Sequence, residues 1–212
     1  MPDEAAAIIR KRAESTDEAV IIACDSGADF LAKHNIVPDM VVGDMDSITA
    51  AGLDYIDANN IFVEKYPIEK DWTDTEIALG KADEGDILLV CPLSGRIDHV
   101  IANLGLVLKM KLDGKNVVIT DGITYCYPLS GEDSVTADVT SFGGNAAVSL
   151  IPCDFSSPVK GVTTKGLYYS LSDAELFAGS SFSFSNHPTA ETPEITVSIR
   201  DGLLLVVTTF AN

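Results

Sequence analysis

Basic residues are scarce in this chain of 212 residues, which has 14 lysines and arginines against 32 aspartates and glutamates. The resulting formal net charge of -18 repels nucleic acids and anionic membrane surfaces, so the composition disfavours proteins that bind either one. An anionic ligand is not excluded if a metal ion accompanies it. A cationic small molecule is favoured.

Cysteine motifs and long apolar runs are also missing. The four cysteines form no CxxC pair and no metal-ligand spacing. Cys24 and Cys91 lie in apolar, strand-like runs, so we expect buried thiols in a reducing cytoplasm. The first residues, MPDEAAAIIRKRAEST, are polar and helix-patterned, so we expect no signal peptide, and no apolar run is long enough to span a bilayer.

Two common nucleotide motifs are absent. The sequence contains no GxxxxGK[ST] loop and no GxGxxG motif, which disfavours Walker-type NTPases and dinucleotide-dependent dehydrogenases. The three histidines have no HxH or HExxH spacing, so no transition-metal site is indicated.

Helix-like and strand-like segments alternate over about the first 120 residues. The strands there are apolar throughout, which predicts a mostly parallel sheet between helices. After Asp121, short strands separated by turn residues predict an antiparallel β-sandwich, with a hairpin at residues 200–202. We therefore predict an α/β fold with an N-terminal domain at 1–124 and a β-sandwich domain at 125–212. The later strands are predicted at VKGVTT, LYYSL, SFSFS, EITVSI and LLLVVTT.

Aspartates follow several of the predicted strands in the first half. Because the carboxyl ends of parallel strands share one edge of a sheet, acids from distant parts of the chain are expected to converge there. Two interpretations remain open for each residue: a ligand of a hard divalent cation such as Mg²⁺, or a helix cap or turn former. Asp121 with Gly122 most resembles an ordinary turn. The set comprises Asp25, Asp44, Asp46, Asp71, Asp98 and Asp121.

Two motifs place acids especially close together. In VVGDMDSI, Asp44 and Asp46 are alternate residues of an extended segment, so both side chains are expected on one side. In KDWTD, Asp71 and Asp74 flank Thr73, which forms a capping box with Glu76 and predicts the start of a helix. Carboxylates at this spacing repel one another unless a cation, a basic side chain or backbone donors offset the repulsion.

A third motif, PLSGRIDH, offers donors for an anion. Arg96 supplies a planar donor fork that suits phosphate, and Asp98 lies at the start of a predicted helix. The alternative, in which Arg96 simply pairs with a neighbouring acid in an ordinary loop, remains open.

Seven blocks of the chain, taken together and in order, resemble the thiamin pyrophosphokinase family. They are ACDSGADFL, PDMVVGDMDSI, EKDWTDTEIAL, SGRIDHVIANL, VSLIP, VTTKGLYYSL and FSNHP. The resemblance implies an α/β catalytic domain followed by a β-sandwich that binds thiamin, in a homodimer with active sites between the subunits. It also implies transfer of a diphosphate from ATP to the hydroxyethyl oxygen of thiamin, with Mg²⁺ bound and AMP released.

The resemblance assigns roles to individual residues. Asp44, Asp46, Asp71 and Asp74 are expected around Mg²⁺ and the triphosphate, with Asp25 beside the nucleotide. Asp71, Arg96 and Asp98 are expected to be catalytic, with Arg96 also binding phosphate. Asp98 is either the acceptor of the hydroxyl proton or another metal ligand. Ser185 and Asn186 correspond to the family's SN pair at thiamin.

Two departures from the family pattern stand out. The family usually opens with a strand and an NG-type loop, whereas this chain begins at MPDEAAAII, after the point where that strand is expected. Phe184 precedes the SN pair where a smaller residue is common, and His187 follows it.

Three alternative functions remain open at the level of sequence. One is a related pyrophosphokinase acting on a pterin, and another is a non-catalytic protein that binds thiamin or a nucleotide. The third is a folded domain whose acids are only caps and solvated surface.

Overall fold

The structure describes most of the chain and divides it into two parts. The computed structural model describes residues 1–16, 18–82, 85–139, 146–190 and 193–210. Within it the chain divides into two compact units, which we call unit 1 (Met1–Gly85) and unit 2 (Asp86–Asn212).

Unit 1 is a three-stranded parallel sheet in the order β1-β2-β3 with four helices. Apolar side chains from α1, α2 and α3, such as Ala6, Leu31 and Ile56, pack with Val41 of the sheet in one buried cluster. The elements are α1 (Asp3–Glu14), β1 (Ile22–Cys24), α2 (Gly27–Lys33), β2 (Met40–Gly43), α3 (Ala50–Ala58), β3 (Phe62–Lys65) and α4 (Asp74–Leu79).

Unit 2 contains one long helix and two sheets. The five-stranded sheet has the order β4-β5-β6-β12-β8, and the four-stranded sheet has the order β10-β9-β11-β7. The elements are β4 (Asp86–Val90), α5 (Ile97–Leu112), β5 (Asn116–Thr120), β6 (Thr124–Ser130), β7 (Asp133–Asp138), β8 (Ala146–Pro152), β9 (Val159–Lys165), β10 (Ala174–Leu176), β11 (Glu194–Ile199) and β12 (Leu203–Phe210).

The side chains of β12 show how the five-stranded sheet is covered on both faces. Leu204 and Val206 pack into the core that both sheets share, whereas Leu205 packs with Val107 of α5. This alternation follows from the two-residue period of a strand. The predicted fold class, α/β with a parallel sheet and an antiparallel β-sandwich, is therefore confirmed.

The parallel strands do not all belong to one sheet. β4 and β5 are parallel to each other but continue through β6 into the antiparallel sheet, because the chain turns back at residues 121–123. Asp121 makes this turn, since its Oδ1 accepts hydrogen bonds from the backbone of Ile123 (3.0 Å) and Thr124 (2.8 Å). The turn interpretation of Asp121 is thus confirmed. The functional boundary at 124/125 stays a prediction.

The hairpin predicted at residues 200–202 is wrong. β11 and β12 lie in different sheets, and the turn crosses from one sheet to the other. Arg200 and Asp201 bond instead to the backbone of Lys160 at the start of β9. Gly202 lies so close to that strand that a Cβ atom would stand 2.8 Å from Val159 Cα.

Two predicted strands are loops. SFSFS cannot continue as a strand because Ser183 and Ser185 have positive φ angles of 75° and 53°. LYYSL contributes one isolated bridge, between Leu167 and Pro188. The short strands β7 and β10, by contrast, were not predicted.

Two expectations from composition can be compared with the structure directly. No helix in the described part of the chain has the length and apolar character needed to cross a membrane. The four cysteines, which all lie in the described part of the chain, form no disulfide. Cys126 is buried, but Cys24 and Cys91, which we expected to be buried, are partly exposed, as is Cys153.

Candidate functional site

Three carboxylates of unit 1 meet beyond the ends of its strands. Asp25, Asp44 and Asp74 each offer an oxygen, and these three oxygens lie within 4.8 Å of one another. Asp25 follows β1 and Asp44 follows the neighbouring β2, and the Asp25 N–H bonds to the carbonyl oxygen of Val42 at 3.1 Å. Asp74 opens α4, which Thr73 caps by accepting a hydrogen bond from the Glu76 N–H at 3.2 Å. We call these three residues the acidic cluster.

The backbone around the acidic cluster is held in uncommon conformations. Asp25 and Met45 have positive φ angles of 43° and 71°, which cost non-glycine residues roughly 1–3 kcal/mol each. The Met45 N–H bonds to Asp25 Oδ1 at 3.2 Å, so the two strained positions support each other. Strain of this kind is characteristic of functional sites.

Two of the predicted metal ligands lie outside the acidic cluster. Asp46 is exposed, and its N–H bonds to Asp44 Oδ1 at 3.1 Å. Asp71 is also exposed, on the segment between β3 and α4. The structure therefore joins Asp44 and Asp74 with Asp25, which the sequence placed only beside the nucleotide.

Lys70 is a member of this site that the sequence interpretation missed. Its Nζ lies 3.3 Å from Asp44 Oδ2 and 3.2 Å from Asp74 Oδ1, and its side chain is only 12% exposed. A signal was present in the sequence, since Lys70 precedes Asp74 by four residues, a spacing typical of ion pairs.

The electrostatics show that one ammonium does not balance three carboxylates. Burial raises the pKa of Asp25 to about 6, and the neighbouring Asp74 acts in the same direction. The pKa of Asp44 is lowered, first by the hydrogen bond from the Asp46 backbone and then by Lys70. The pKa of Asp46 is raised by its contact with Asp44. Negative charge is thus left without a full counter-ion.

The donor set fits a hard divalent cation. All three groups are carboxylates, the ligand type that Mg²⁺ takes in proteins. Asp74 Oδ1 is buried and, among the described residues, has no hydrogen-bond partner, although Lys70 is close to it. Lys70 carries one positive charge for the three carboxylates, so a divalent cation would compensate the charge of this buried oxygen more fully.

Asp29 supports the loop that carries Asp44 and Asp46. Its carboxylate accepts a hydrogen bond from the Thr49 hydroxyl at 2.5 Å and another from the Thr49 N–H at 3.1 Å. Thr49 in turn caps α3. Asp29 belongs to the ACDSGADFL block, but nothing in the sequence indicated that it would bond to Thr49.

In unit 2, Arg96 and Asp98 form an ion pair at the start of α5. Arg96 Nε donates to Asp98 Oδ1 at 3.2 Å, and a second bond joins Nη2 to Oδ2. Both side chains are well exposed. The bond from Arg96 lowers the pKa of Asp98. The geometry is the one that the alternative interpretation of this loop anticipated.

Ser185 and Asn186, also in unit 2, differ sharply in environment. Ser185 is exposed, and its backbone N–H bonds to Ser149 Oγ at 3.1 Å. Asn186 is 7% exposed, and its amide donates to the Tyr169 carbonyl (2.8 Å) and accepts from the Tyr169 N–H (3.1 Å). Asn186 therefore ties together the two loops that carry the SN and GLYYSL motifs.

The two loops that Asn186 ties together also carry aromatic rings. Tyr168 stacks on His187 with ring centroids 4.8 Å apart, and Tyr168 and Tyr169 are 62% and 65% exposed. Exposed stacked rings are suited to bind a flat or cationic ligand.

Comparison with known protein families gives two matches. The family described as "Thiamin pyrophosphokinase, catalytic domain" matches residues 12–119. The family described as "Thiamin pyrophosphokinase, vitamin B1 binding domain" matches residues 138–204. The first match includes the acidic cluster with Arg96 and Asp98, and the second includes Ser185 and Asn186.

Individual relatives give the same result. A thiamine pyrophosphokinase of Bacillus subtilis is 30% identical over 81% of this chain and 79% of its own length. A crystal structure of a thiamine pyrophosphokinase from Bacillus subtilis has a TM-score of 0.79 at 26% identity, covering 94% of this chain and 92% of the other. One from Geobacillus thermodenitrificans has a TM-score of 0.74 at 26% identity, covering 95% and 91%.

Proposed function

This chain belongs to the thiamin pyrophosphokinase family, and we propose that its acidic cluster binds the Mg²⁺ and ATP for that family's reaction. The reaction transfers a diphosphate from ATP to the hydroxyethyl oxygen of thiamin and releases AMP. The observation that carries the proposal is the convergence of Asp25, Asp44 and Asp74, whose oxygens lie within 4.8 Å.

Asp44 and Asp74 are the proposed metal ligands, with Asp25 completing the cluster. A bound Mg²⁺ supplies positive charge that neutralises phosphate oxygens during the transfer. Asp46, hydrogen-bonded to Asp44 through its backbone, orients that ligand. Asp71 is exposed near α4, and we assign it to the bound metal–nucleotide complex rather than to the free protein's cation site.

Arg96 is proposed to bind phosphate. Its guanidinium already makes a two-bond contact with the Asp98 carboxylate, the geometry that a phosphate group also accepts. Both side chains are exposed, so exchanging one anion for another carries little cost of desolvation. Once Arg96 has exchanged it for phosphate, the Asp98 carboxylate becomes available to accept a proton or bind a cation.

Thiamin is proposed to bind at Ser185. Ser185 is exposed and, two residues along the chain, is followed by His187, whose ring stacks on Tyr168. Stacked rings of this kind suit the flat, positively charged thiazolium. Asn186, with its side chain bonded to Tyr169, holds this surface in shape. The net charge of -18 also favours a cationic substrate.

A homodimer and a cytoplasmic location complete the proposal. The absence of a disulfide among the four cysteines, all in the described part of the chain, fits a reducing compartment. Sedimentation equilibrium measures the number of subunits directly, and a monomer at all concentrations would contradict the proposed homodimer.

A pterin acceptor and a non-catalytic binding role are not favoured. Residues 138–204 match a vitamin B1 binding domain, which points to thiamin as the acceptor. The catalytic-domain match over 12–119 points to turnover.

Trp72 gives a convenient test of the nucleotide site. It is the chain's one tryptophan, is 60% exposed and lies between Lys70 and Asp74 in sequence. We expect its fluorescence to change on addition of Mg²⁺ and a non-hydrolysable ATP analogue, and the Asp44→Asn variant to weaken that response. A response to the analogue that is identical without Mg²⁺, or unchanged in the variant, would argue against the site.

A further inference from the structure

Lys70 occupies a position at which a divalent cation would be expected. Its Nζ bridges Asp44 Oδ2 at 3.3 Å and Asp74 Oδ1 at 3.2 Å, and those two residues are proposed above as metal ligands. The Lys70 side chain is 12% exposed, while those of Asp44 and Asp74 are 10% and 17% exposed. Because all three side chains are largely enclosed, this ion pair is screened by solvent less than an ion pair on the surface.

We propose that Lys70 is the built-in counter-ion of the acidic cluster, and that Mg²⁺ displaces its ammonium from Asp44 and Asp74. This inference rests on the proposed function, because it takes the acidic cluster as the Mg²⁺ site. It adds a role for a residue that the family's acidic motifs do not explain.

The geometry favours exchange over joint occupancy. The same oxygen atoms, Asp44 Oδ2 and Asp74 Oδ1, face the ammonium and would face the metal. Asp74 Oδ1 is buried, and its charge partner in the described part of the chain is the single positive charge of Lys70 Nζ, 3.2 Å away. A divalent cation brings two positive charges to this oxygen and therefore competes well with the singly charged ammonium.

The displaced lysine gains a new partner when ATP binds. A triphosphate brings several negative oxygens to the metal, and a flexible ammonium binds phosphate as a mobile point charge. Lys70 Nζ also donates a hydrogen bond to the Pro67 carbonyl oxygen at 3.3 Å, so the ammonium already has a partner besides the two acids. One side chain thus serves the metal-free site first and the nucleotide afterwards.

The direct test measures the reactivity of individual lysines in the wild-type protein. An amine-acetylating reagent is applied with and without Mg²⁺ at matched ionic strength, and modification of each lysine is followed by mass spectrometry. Lys81 is the matched internal control, because it pairs with Glu64 at 2.7 Å in the same unit, and the charged groups that act on it are Glu64 and Tyr66 rather than members of the acidic cluster.

We expect Mg²⁺ to raise the acetylation rate of Lys70 several-fold and to leave that of Lys81 unchanged. Adding a non-hydrolysable ATP analogue with Mg²⁺ should lower the Lys70 rate again. An unchanged or lower rate with Mg²⁺ alone would overturn the displacement. No fall with the analogue would overturn the phosphate contact.

The Mg²⁺ affinity of a Lys70 variant gives a second test. Displacement predicts that removing the ammonium raises this affinity, whereas a purely structural role for Lys70 predicts that it falls. Lys70→Met should bind Mg²⁺ about tenfold more tightly by calorimetry, equivalent to roughly 1.4 kcal/mol, because the competing ammonium is gone. If Lys70 only holds the ligands in place, the same variant binds Mg²⁺ more weakly, and the inference fails. Lys81→Met should leave the affinity unchanged.

Failure of the inference is distinguishable from failure of the proposed function. If wild type binds Mg²⁺ and forms AMP but the Lys70 rate does not rise, the displacement alone is wrong. If the Lys70 rate rises but no AMP forms from ATP and thiamin, the inference stands and the proposed function is wrong.

Discussion

Gly43 and Asp25 are packed so closely that any side chain at residue 43 would collide with the Asp25 carboxylate. A Cβ atom built on Gly43 stands 1.9 Å from Asp25 Oδ1, and the φ angle of Gly43 is 151°. Gly43 is the last residue of β2, and Asp25 directly follows β1. The contact therefore holds the Asp25 carboxylate of the acidic cluster against the end of β2.

Gly43→Ala is therefore expected to push Asp25 out of the cluster. The free energy of unfolding should fall by about 1–3 kcal/mol, because the new methyl group forces a shift in a packed site. Urea denaturation measures the stability, and calorimetry measures the loss of Mg²⁺ affinity.

The control for this variant is Gly114→Ala. Gly114 also has a positive φ, of 83°, but a Cβ atom there would meet open space, with no contact within 4 Å among the described residues beyond its chain neighbours. It should lose stability through backbone strain while Mg²⁺ affinity is retained. Wild-type Mg²⁺ affinity in Gly43→Ala would contradict the role given to Asp25.

Asp44→Asn and Asp74→Asn should each abolish most of the metal-dependent activity. Loss of one carboxylate removes both a ligand and its charge, so we expect turnover to fall about 100-fold or more. Asp54→Asn, at an exposed position of α3, is the matched control and should behave as wild type. Normal turnover in either cluster variant, measured as AMP formed, would remove that residue from the site.

Asp71→Asn should separate metal binding from turnover. The Asp71 side chain is exposed and outside the acidic cluster, so the free protein should bind Mg²⁺ with unchanged affinity. Turnover should still fall, because we assign Asp71 to the complex with ATP. A parallel loss of Mg²⁺ affinity in the free protein would place Asp71 among the primary ligands instead.

Ser185→Ala and Asn186→Ala should have different effects although the residues are adjacent. Asn186 is buried and bonded to Tyr169, so its loss should cost about 1–3 kcal/mol of stability and also raise the KM for thiamin. Ser185→Ala should raise the KM and leave the free energy of unfolding within about 0.5 kcal/mol of wild type. Denaturation and steady-state kinetics together decide this, and equal stability losses would contradict it.

The sequence predicted those features that depend on neighbours along the chain. Thr73 caps α4 as its capping box indicated, and Asp121 makes the turn that its Gly neighbour suggested. Both are local hydrogen bonds within three residues. The fold class could also be predicted from hydrophobic patterning. β1 and β2 are apolar throughout, whereas strands of the β-sandwich such as β11 alternate apolar and polar residues.

The convergence of distant aspartates was predicted and is seen for Asp25, Asp44 and Asp74, but other features that depend on distant pairing were not predicted. The turn at residues 200–202 has the composition of a hairpin, but β11 and β12 pair with other strands. Asp29 supports the loop at Thr49 across twenty residues of sequence. For Lys70, the spacing to Asp74 was visible in the sequence, but the second partner, Asp44, becomes its neighbour only in the folded chain.

The nucleotide product formed from ATP, thiamin and Mg²⁺ tests the proposed reaction most directly. We expect AMP together with thiamin diphosphate, with both abolished by EDTA and restored by excess Mg²⁺. Formation of ADP alone, or AMP formation that persists in EDTA, would contradict it.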